Sequence, residues 1–310
     1  MEEKQYDVIV LGGGPAGLTA GIYLARAKAK ALIIDTGTIG GQTVLTYEVA
    51  NYPGVEMTSG YQLSSIMRKQ ATSFGCDIVS NASVSELSLD GEEKSIIVNG
   101  NQKNIAKSII LATGGRSRTL NVPGESEFKG KGISYCATCD GDFFQDKEIV
   151  VVGGGNSALE EADSLTKFAS KVTVLHEFDH FQAFEHAVEK ARSNPKIDFV
   201  MNSHIIEFSG DQKLTNIKYK NLTSNKITSK KIDGVFIFIG YVANTEKLKS
   251  TTIKLNSRGE IVTDENLQTN IPGVFAAGDV TDQVYRQAIT SAGFGCMAAL
   301  DAEKYLDDLE

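Results

Sequence analysis

The chain has 310 residues, 41% of them hydrophobic and 23% charged, with a net charge of -8. This is an ordinary globular composition with room for about two domains, and its acidic balance excludes nucleic acid as an expected partner, because phosphate-backbone binding needs clustered Lys and Arg. No apolar run approaches the roughly 18 residues of a membrane span, and the acidic start "MEEKQYDVIVLGGG" lacks the basic opening of a signal peptide, so a cytoplasmic protein is expected.

The first predicted unit is "YDVIVLGGGPAGLTAGIYLARAKAKALIID", read as strand, glycine turn, helix and strand. The apolar run Val8 to Leu11 suits a buried parallel strand. Gly12, Gly14 and Gly17 form G-x-G-x-x-G. Glycines at this spacing allow a tight turn and a close backbone approach to a pyrophosphate, which the helix N-terminus then faces. Asp35 closes the second strand, where a carboxylate can accept a ribose hydroxyl. A polar stretch follows, with alternating segments near 83–89, 94–99 and 102–106. The turns "LDGEE" and "VNGNQ" predict an antiparallel meander. "SIILATGG" (108–115) predicts another buried strand that runs into a glycine turn.

"YCATCDGDFF" comes next. Cys136 and Cys139 are spaced to close a small disulfide ring. If a helix begins there, its N-terminus favours thiolate, and Asp140 can move protons during exchange. Cytosolic cysteines invite a redox, metal or packing explanation. A metal needs two more ligands, whereas Cys76 and Cys296 are single and remote. No metal site is expected, and those two cysteines are read as packing residues. "KEIVVVGGGNSALEEADSLTKFASKVTVLHEF" then repeats the first theme, with Gly153, Gly155 and Ala158 in G-x-G-x-x-A. Two such units in one chain imply two dinucleotide-type domains. A second alternating region spans roughly 197–238, and "IPGVFAAGDV" with "YRQAITSAGFGCMAALDAEKYL" predicts a last strand and a long helix. His176, His180, His186 and His204 are read as surface or packing histidines.

The runs "GGGPAGLTA", "GGQ", "EVANYPG", "ATGG", "CATCDG", "GGGNSALEEA" and "AAGDV…YRQAITSAG…GCMAALDAE" occur in one order over nearly the whole chain. In these the chain resembles the low-molecular-weight thioredoxin reductases, FAD enzymes of the pyridine nucleotide–disulphide oxidoreductases. The resemblance implies an α/β fold of two Rossmann-like, three-layer β/β/α dinucleotide-binding domains, the second inserted in the first. It implies an FAD domain of residues 1–115 plus 246–310, and a domain of residues 116–245 that is NAD(P)-binding-like and carries the C-x-x-C. It places Gly12, Gly14, Pro15, Ala16, Gly17 and Asp35 at the adenosine end of FAD, Gln42 and Asn51 near the flavin, and Gly41, Thr113 and Gly114 along the cofactor. Gly278 and Asp279 would approach the ribityl or phosphate part, with Arg286, Gln287 and Ala288 beside the ring. Cys139 would exchange electrons with the flavin, Cys136 would attack the disulfide of thioredoxin, and Asp140 would be the acid–base group. The inserted domain would rotate on its connections near 116–120 and 242–246. A homodimer is also implied.

One segment departs from the resemblance. NADPH-using members carry H-R-R-x-x-x-R after the second strand of the inserted domain. Here the run is "HEFDHFQ": Glu177, Phe178 and Gln182 stand where the three arginines would. Charge-assisted hydrogen bonds contribute on the order of 1.5–3 kcal/mol each, so losing two lowers NADPH affinity more than about a hundredfold. In lacking the clamp the chain resembles the ferredoxin-dependent flavin thioredoxin reductases, which makes reduced ferredoxin the expected donor. An acidic ferredoxin needs a local basic patch, for which "RAKAK" (26–30) and Lys129 with Lys131 are candidates. NADH held by Glu177, weak NADPH use, and a dithiol oxidase that passes electrons to oxygen are the alternatives.

Overall fold

Val8, Ile9, Val10 and Leu11 are almost wholly buried and end a ten-residue strand, β1 (Glu2–Leu11). The computed structural model describes residues 2–46, 48–281 and 284–309. After the glycine turn comes α1 (Pro15–Arg26), with proline in its first turn, where a missing N–H costs nothing. β2 (Ala31–Ile34) pairs parallel to β1. α2 (Gly60–Ser73) starts on a capping box made by Ser59 and Gln62, and leads to β3 (Asp77–Val79). β4 (Val84–Ser88), β5 (Lys94–Val98) and β6 (Gln102–Leu111) form an antiparallel meander. The 102–106 and 108–115 segments, expected as separate strands, are one strand to Leu111. β6 has three partners: one edge bonds β1 along nearly its whole length, while the other bonds β5 over its first half and a strand from far along the chain over its second.

The chain leaves this unit through β7 (Gly115–Ser117). The unit that follows, Ser117–Tyr241, opens with a short helix α3 (Glu125–Phe128), β8 (Ile133–Ser134) and the four-residue α4 (Ala137–Asp140). β9 (Glu148–Val152), α5 (Asn156–Leu165) and β10 (Lys171–Leu175) repeat the opening theme. α6 (Glu185–Ser193) and β11 (Ile197–Val200) complete the helical side. The alternating region after 197 divides: β11 joins the parallel sheet, while β12 (Ser203–Gly210), β13 (Leu214–Asn221) and β14 (Ile227–Lys231) form a separate antiparallel sheet. β15 (Gly234–Ile237) returns to the parallel sheet, whose order is β11-β10-β9-β15-β8.

β16 (Tyr241–Ala243) pairs with β7, so the two crossings run as a two-stranded ribbon. Met1–Arg116 with Val242–Glu310 forms the other unit. It is completed by β17 (Val274–Ala276), the distant partner of β6, and by α7 (Ala288–Asp307). Its sheet runs β3-β2-β1-β6-β5-β4.

The period of two along buried strands explains the layering. Val8 and Val10 face the cluster that holds Leu18, Leu63 and Ala298 of the helices, while Ile9 and Leu11 face Val84, Ile96 and Val98 of the meander. In the second unit Ile149 and Val151 face α5 and α6, and Val150 and Val152 face Ile205, Phe208 and Ile217. Each such fully buried aliphatic side chain contributes about 1.5–3 kcal/mol. The fold is thus α/β, with two Rossmann-like units, the second inserted in the first.

Candidate active site

The Cys136–Cys139 pair sits where β8 gives way to α4. Cys136 is the N-cap of α4, and a disulfide joins it to Cys139 with the Cα atoms 5.3 Å apart. The Cys139 N–H donates to Cys136 Sγ at 3.2 Å. Both cysteines are half-buried. Asp140 follows directly. Burial raises its carboxyl above the usual carboxylate range, a hydrogen bond from the Ser134 hydroxyl opposes this, and the charge of Asp142 adds to the rise. Ser134 Oγ also accepts the Cys136 N–H at 3.1 Å. On the other side of Cys136, Tyr135 donates to Glu125 at 2.7 Å, and that buried carboxylate also accepts the N–H groups of Leu120 and Asn121. Of the remaining cysteines, Cys76 is buried and its thiol is pushed up to about 12, chiefly by burial, which leaves it inert at neutral pH.

The glycine turn of the first unit lies at the carboxyl ends of its parallel strands, where open α/β sheets bind ligands. A Cβ on Gly12 would sit 2.1 Å from the Ala112 carbonyl oxygen, and one on Gly17 would sit 1.8 Å from the Gly12 carbonyl oxygen. Neither position has room for a side chain. Gly14 is different: the nearest atom to its Cβ would be Gly41 Cα at 3.9 Å, and α1 beyond it has no side-chain cap. The first N–H groups of α1 are thus left for an anion. Asp35 is engaged in a way the sequence does not show. Its two oxygens accept the N–H groups of Gly13 at 2.6 Å and Gly37 at 2.7 Å, so it shapes the turn itself. Gly278 lies against Ala16, and Asp279 accepts Ser291 Oγ at 2.8 Å. Gly114 opens on empty space, and the Thr113 hydroxyl is buried without a hydrogen-bond partner. These residues gather around the start of α1. Gln42 and Asn51 are exposed on the segment between β2 and α2, with no hydrogen bond to the turn. Arg286 has φ +48 and forms an ion pair with buried Glu260 at 3.0 Å, just before Gln287 caps α7 at Ala288.

Residues 6–295 match the family described as "Pyridine nucleotide-disulphide oxidoreductase". The chain belongs to this family. A thioredoxin reductase of Peptoclostridium acidaminophilum is 45% identical over 313 residues, covering 98% of each chain. One from Listeria innocua is 43% identical, covering 100% of this chain and 96% of its own. The crystal structure of thioredoxin reductase from Streptococcus pyogenes superposes with a TM-score of 0.93 at 38% identity, covering 98% of this chain and 99% of that one.

This pyridine nucleotide–disulphide oxidoreductase is a flavoprotein with FAD as its cofactor. The open space at Gly14 and Gly114, the uncapped α1 and the unpartnered Thr113 hydroxyl fit a dinucleotide of that kind.

The second glycine turn is built on the same plan with a different filling. His176 follows β10 as Asp35 follows β2, but it is buried, and a Cβ on Gly154 would sit 2.4 Å from its ring. Burial lowers its pKa, and its Nε2 lies 3.1 Å from the His180 carbonyl oxygen. Phe178 and Phe181 pack their rings against it. Gln182 N–H donates to the Gly154 carbonyl at 2.8 Å. Glu177, Phe178 and Gln182 are exposed.

Of the expected basic patches, Lys129 is half-buried with its ammonium 5.0 Å from the centre of the Tyr135 ring, and Lys30 lies over Tyr6 in the same way. Another lysine run lies elsewhere, with Lys218 of it ion-paired to Glu207 at 2.9 Å. Between 212 and 232 the chain has six lysines and no carboxylate. The β13–β14 register puts Lys218, Lys220 and Lys231 on one face of the antiparallel sheet. That lysine run was legible as a charge count. Ser134, Glu125 and Glu260 carried no sequence signal, because each acts through a contact made by folding.

Proposed function

We propose that the chain is a thioredoxin-disulfide reductase that takes its electrons from reduced ferredoxin. The observation that carries the donor assignment is the loop after β10, where Glu177, Phe178 and Gln182 stand exposed in place of a phosphate-binding cluster. Glu177 repels a 2′-phosphate, and nothing in the loop replaces the missing cations. Lys220 and Lys231, on the sheet face where Lys218 is paired with Glu207, are the positive charges there for an acidic donor on a chain of net charge -8. Ferredoxins near -400 mV and thioredoxin near -270 mV differ by about 130 mV, which for two electrons is roughly 6 kcal/mol downhill.

FAD, when bound, supplies the electron pair that reduces the Cys136–Cys139 disulfide. Gly12, Gly14, Pro15, Ala16, Gly17 and Asp35 would hold its adenosine end, with Gly41, Gln42, Asn51, Thr113, Gly114, Gly278 and Asp279 along it and Arg286, Gln287 and Ala288 at the ring. Cys136 thiolate attacks the disulfide of thioredoxin, forming a mixed disulfide and expelling one thiolate. Cys139 thiolate then attacks Cys136 Sγ, restores the internal disulfide and expels the second. Asp140 relays a proton from the cysteines to a departing sulfur. We place this cycle in the cytoplasm, where a disulfide that turns over is in keeping with the redox setting. A homodimer is part of the same reading: Ile289, Met297 and Leu300 on α7 and Tyr23 on α1 leave a large apolar face exposed.

A second reading has one observation in its favour. Glu177 is an exposed carboxylate with no hydrogen-bond or ion-pair partner among the described residues, one residue beyond His176, and α5 has no side-chain cap. Both features would suit the ribose and pyrophosphate of NADH. An anaerobic titration separates the two. Bleaching of flavin absorbance near about 450 nm by reduced ferredoxin alone is the expected result. Fast bleaching by NADH would assign Glu177 to a ribose, and fast bleaching by NADPH would overturn both readings.

A further inference from the structure

We propose that Ser134 is a positioning residue of the thiol–disulfide exchange, fixing the Asp140 carboxyl against the Cys136 peptide and keeping it able to accept a proton. The inference rests on the reading above, in which Cys136 and Cys139 exchange and Asp140 is the acid–base group.

Ser134 is the last residue of β8 and stands in parallel register with Phe236 of β15. It is only 5% exposed. Its backbone is therefore fixed by the sheet, whereas Cys136 and Asp140 belong to a helix of one turn. A serine oxygen has one proton to give and two lone pairs. The proton goes to Asp140 Oδ2, and a lone pair takes the Cys136 N–H at 3.1 Å. The Cys136 carbonyl lies farther away, at 3.3 Å, and competes weakly for the same proton. The Asp140 N–H returns to that carbonyl at 3.2 Å. Attacking cysteine and carboxyl are thus joined twice, once through the backbone and once through the serine hydroxyl.

The surroundings explain why the hydroxyl matters. Asp142 lies in the turn that follows, and Glu160 and Glu161 lie on α5, which packs against α4. No Lys, Arg or His ion-pairs with Asp140 among the described residues. Burial, and to a lesser degree the charge of Asp142, favour the protonated carboxyl. Ser134 is the neutral donor that favours the carboxylate. Across one exchange the substrate S–S bond breaks, the Cys136–Cys139 bond forms, two electrons pass to the substrate, and two thiol protons end on its two sulfurs. A carboxyl held protonated cannot accept either proton.

The test needs no electron donor. FAD-loaded enzyme, reduced with dithiothreitol and freed of excess, is mixed anaerobically with 5,5′-dithiobis(2-nitrobenzoate), and the coloured thiolate is timed as a function of pH. Ser134→Thr and Ser134→Val have nearly the same shape and differ in one hydroxyl. Ser134→Thr is expected to keep the native profile. Ser134→Val is expected to move its acid limb up by about one to two pH units, the equivalent of one hydrogen bond to a charged group, and to rejoin the native rate at high pH. A uniform fall at every pH, or no shift, would overturn the proposal. Asp140→Asn separates it from the reading beneath. If that variant leaves the acid limb in place, Asp140 is not the acid–base group and both ideas fail. If it removes the limb while Ser134→Val does not shift it, only the role of Ser134 is lost.

Discussion

The two glycine turns share a scaffold and differ in what fills it. Each follows a buried strand, opens a helix without a side-chain cap, and is braced by the residue after the second strand. In the first unit that residue is Asp35, which binds the backbone N–H of Gly13. In the second it is His176, whose ring packs under Gly154 among phenylalanines. One brace is ionic and the other is aromatic. A G-x-G-x-x-[GA] pattern therefore reports a backbone shape, and the residues around it decide what can bind.

On this view the first unit holds the flavin and the second carries the thiols. The largest effect that could break the division is Cys139→Ser. Disulfide reduction should fall to background while the purified protein keeps its yellow flavin, measured as the ratio of visible to ultraviolet absorbance. Loss of flavin together with activity would mean that the two units do not divide the work in this way.

Next comes a paired substitution in the two turns. Gly14 and Gly155 both have negative φ, and a Cβ on either would meet its nearest atom at 3.9 Å. Alanine fits both turns without a ligand. Gly14→Ala puts a methyl where the pyrophosphate should lie, and overpacking of about 1–3 kcal/mol predicts a ten- to hundredfold weaker hold on FAD. Gly155→Ala should leave FAD content and ferredoxin-driven reduction unchanged. If Gly155→Ala slows flavin reduction by NADH or NADPH, the second turn still binds a nucleotide.

What the sequence disclosed follows from how local each feature is. The glycine turns and the Cys136–Cys139 pair are made by residues a few positions apart, so spacing alone reveals them. β6 was read as two segments because the strand that continues its edge beyond β5, β17, lies more than 160 residues away. Ser134 depends on the pairing of β8 with β15, and the Arg286–Glu260 ion pair joins two loops 26 residues apart. Asp35 was visible as an acid at a strand end. That both its oxygens serve the turn was not, because the N–H groups of Gly13 and Gly37 converge on it only after the loop has closed.

A third experiment tries to make the second turn a nucleotide site. Glu177→Arg, Phe178→Arg and Gln182→Arg together would place three cations on the exposed loop after β10. At about 1.5–3 kcal/mol for each charge-assisted bond, even one well-placed pair should raise NADPH affinity at least tenfold. The readout is flavin bleaching by NADPH. No gain would mean that the aromatic packing around His176, more than the missing charge, keeps the nucleotide out.

The smallest expected effect concerns that aromatic brace. Burial lowers the pKa of His176 below its ordinary 6.5, while Glu177 and the His180 carbonyl act in the opposite direction and the His180 side chain adds to the lowering. The unfolded chain therefore binds a proton at a pH where the folded chain does not. Stability is full above about 6.5 and declines as pH falls from there toward the folded pKa, because protons then favour the unfolded state. The thermal midpoint should drop by on the order of a few degrees between pH 7.5 and 5.5. His176→Phe keeps a ring under Gly154 and removes the titrating group, so its midpoint should vary less over the same range. A His176→Phe variant as acid-sensitive as the native chain would place the titrating group elsewhere. A flattened profile would identify the ring beneath the second glycine turn as a structural brace, held neutral by burial where the first turn uses a charge.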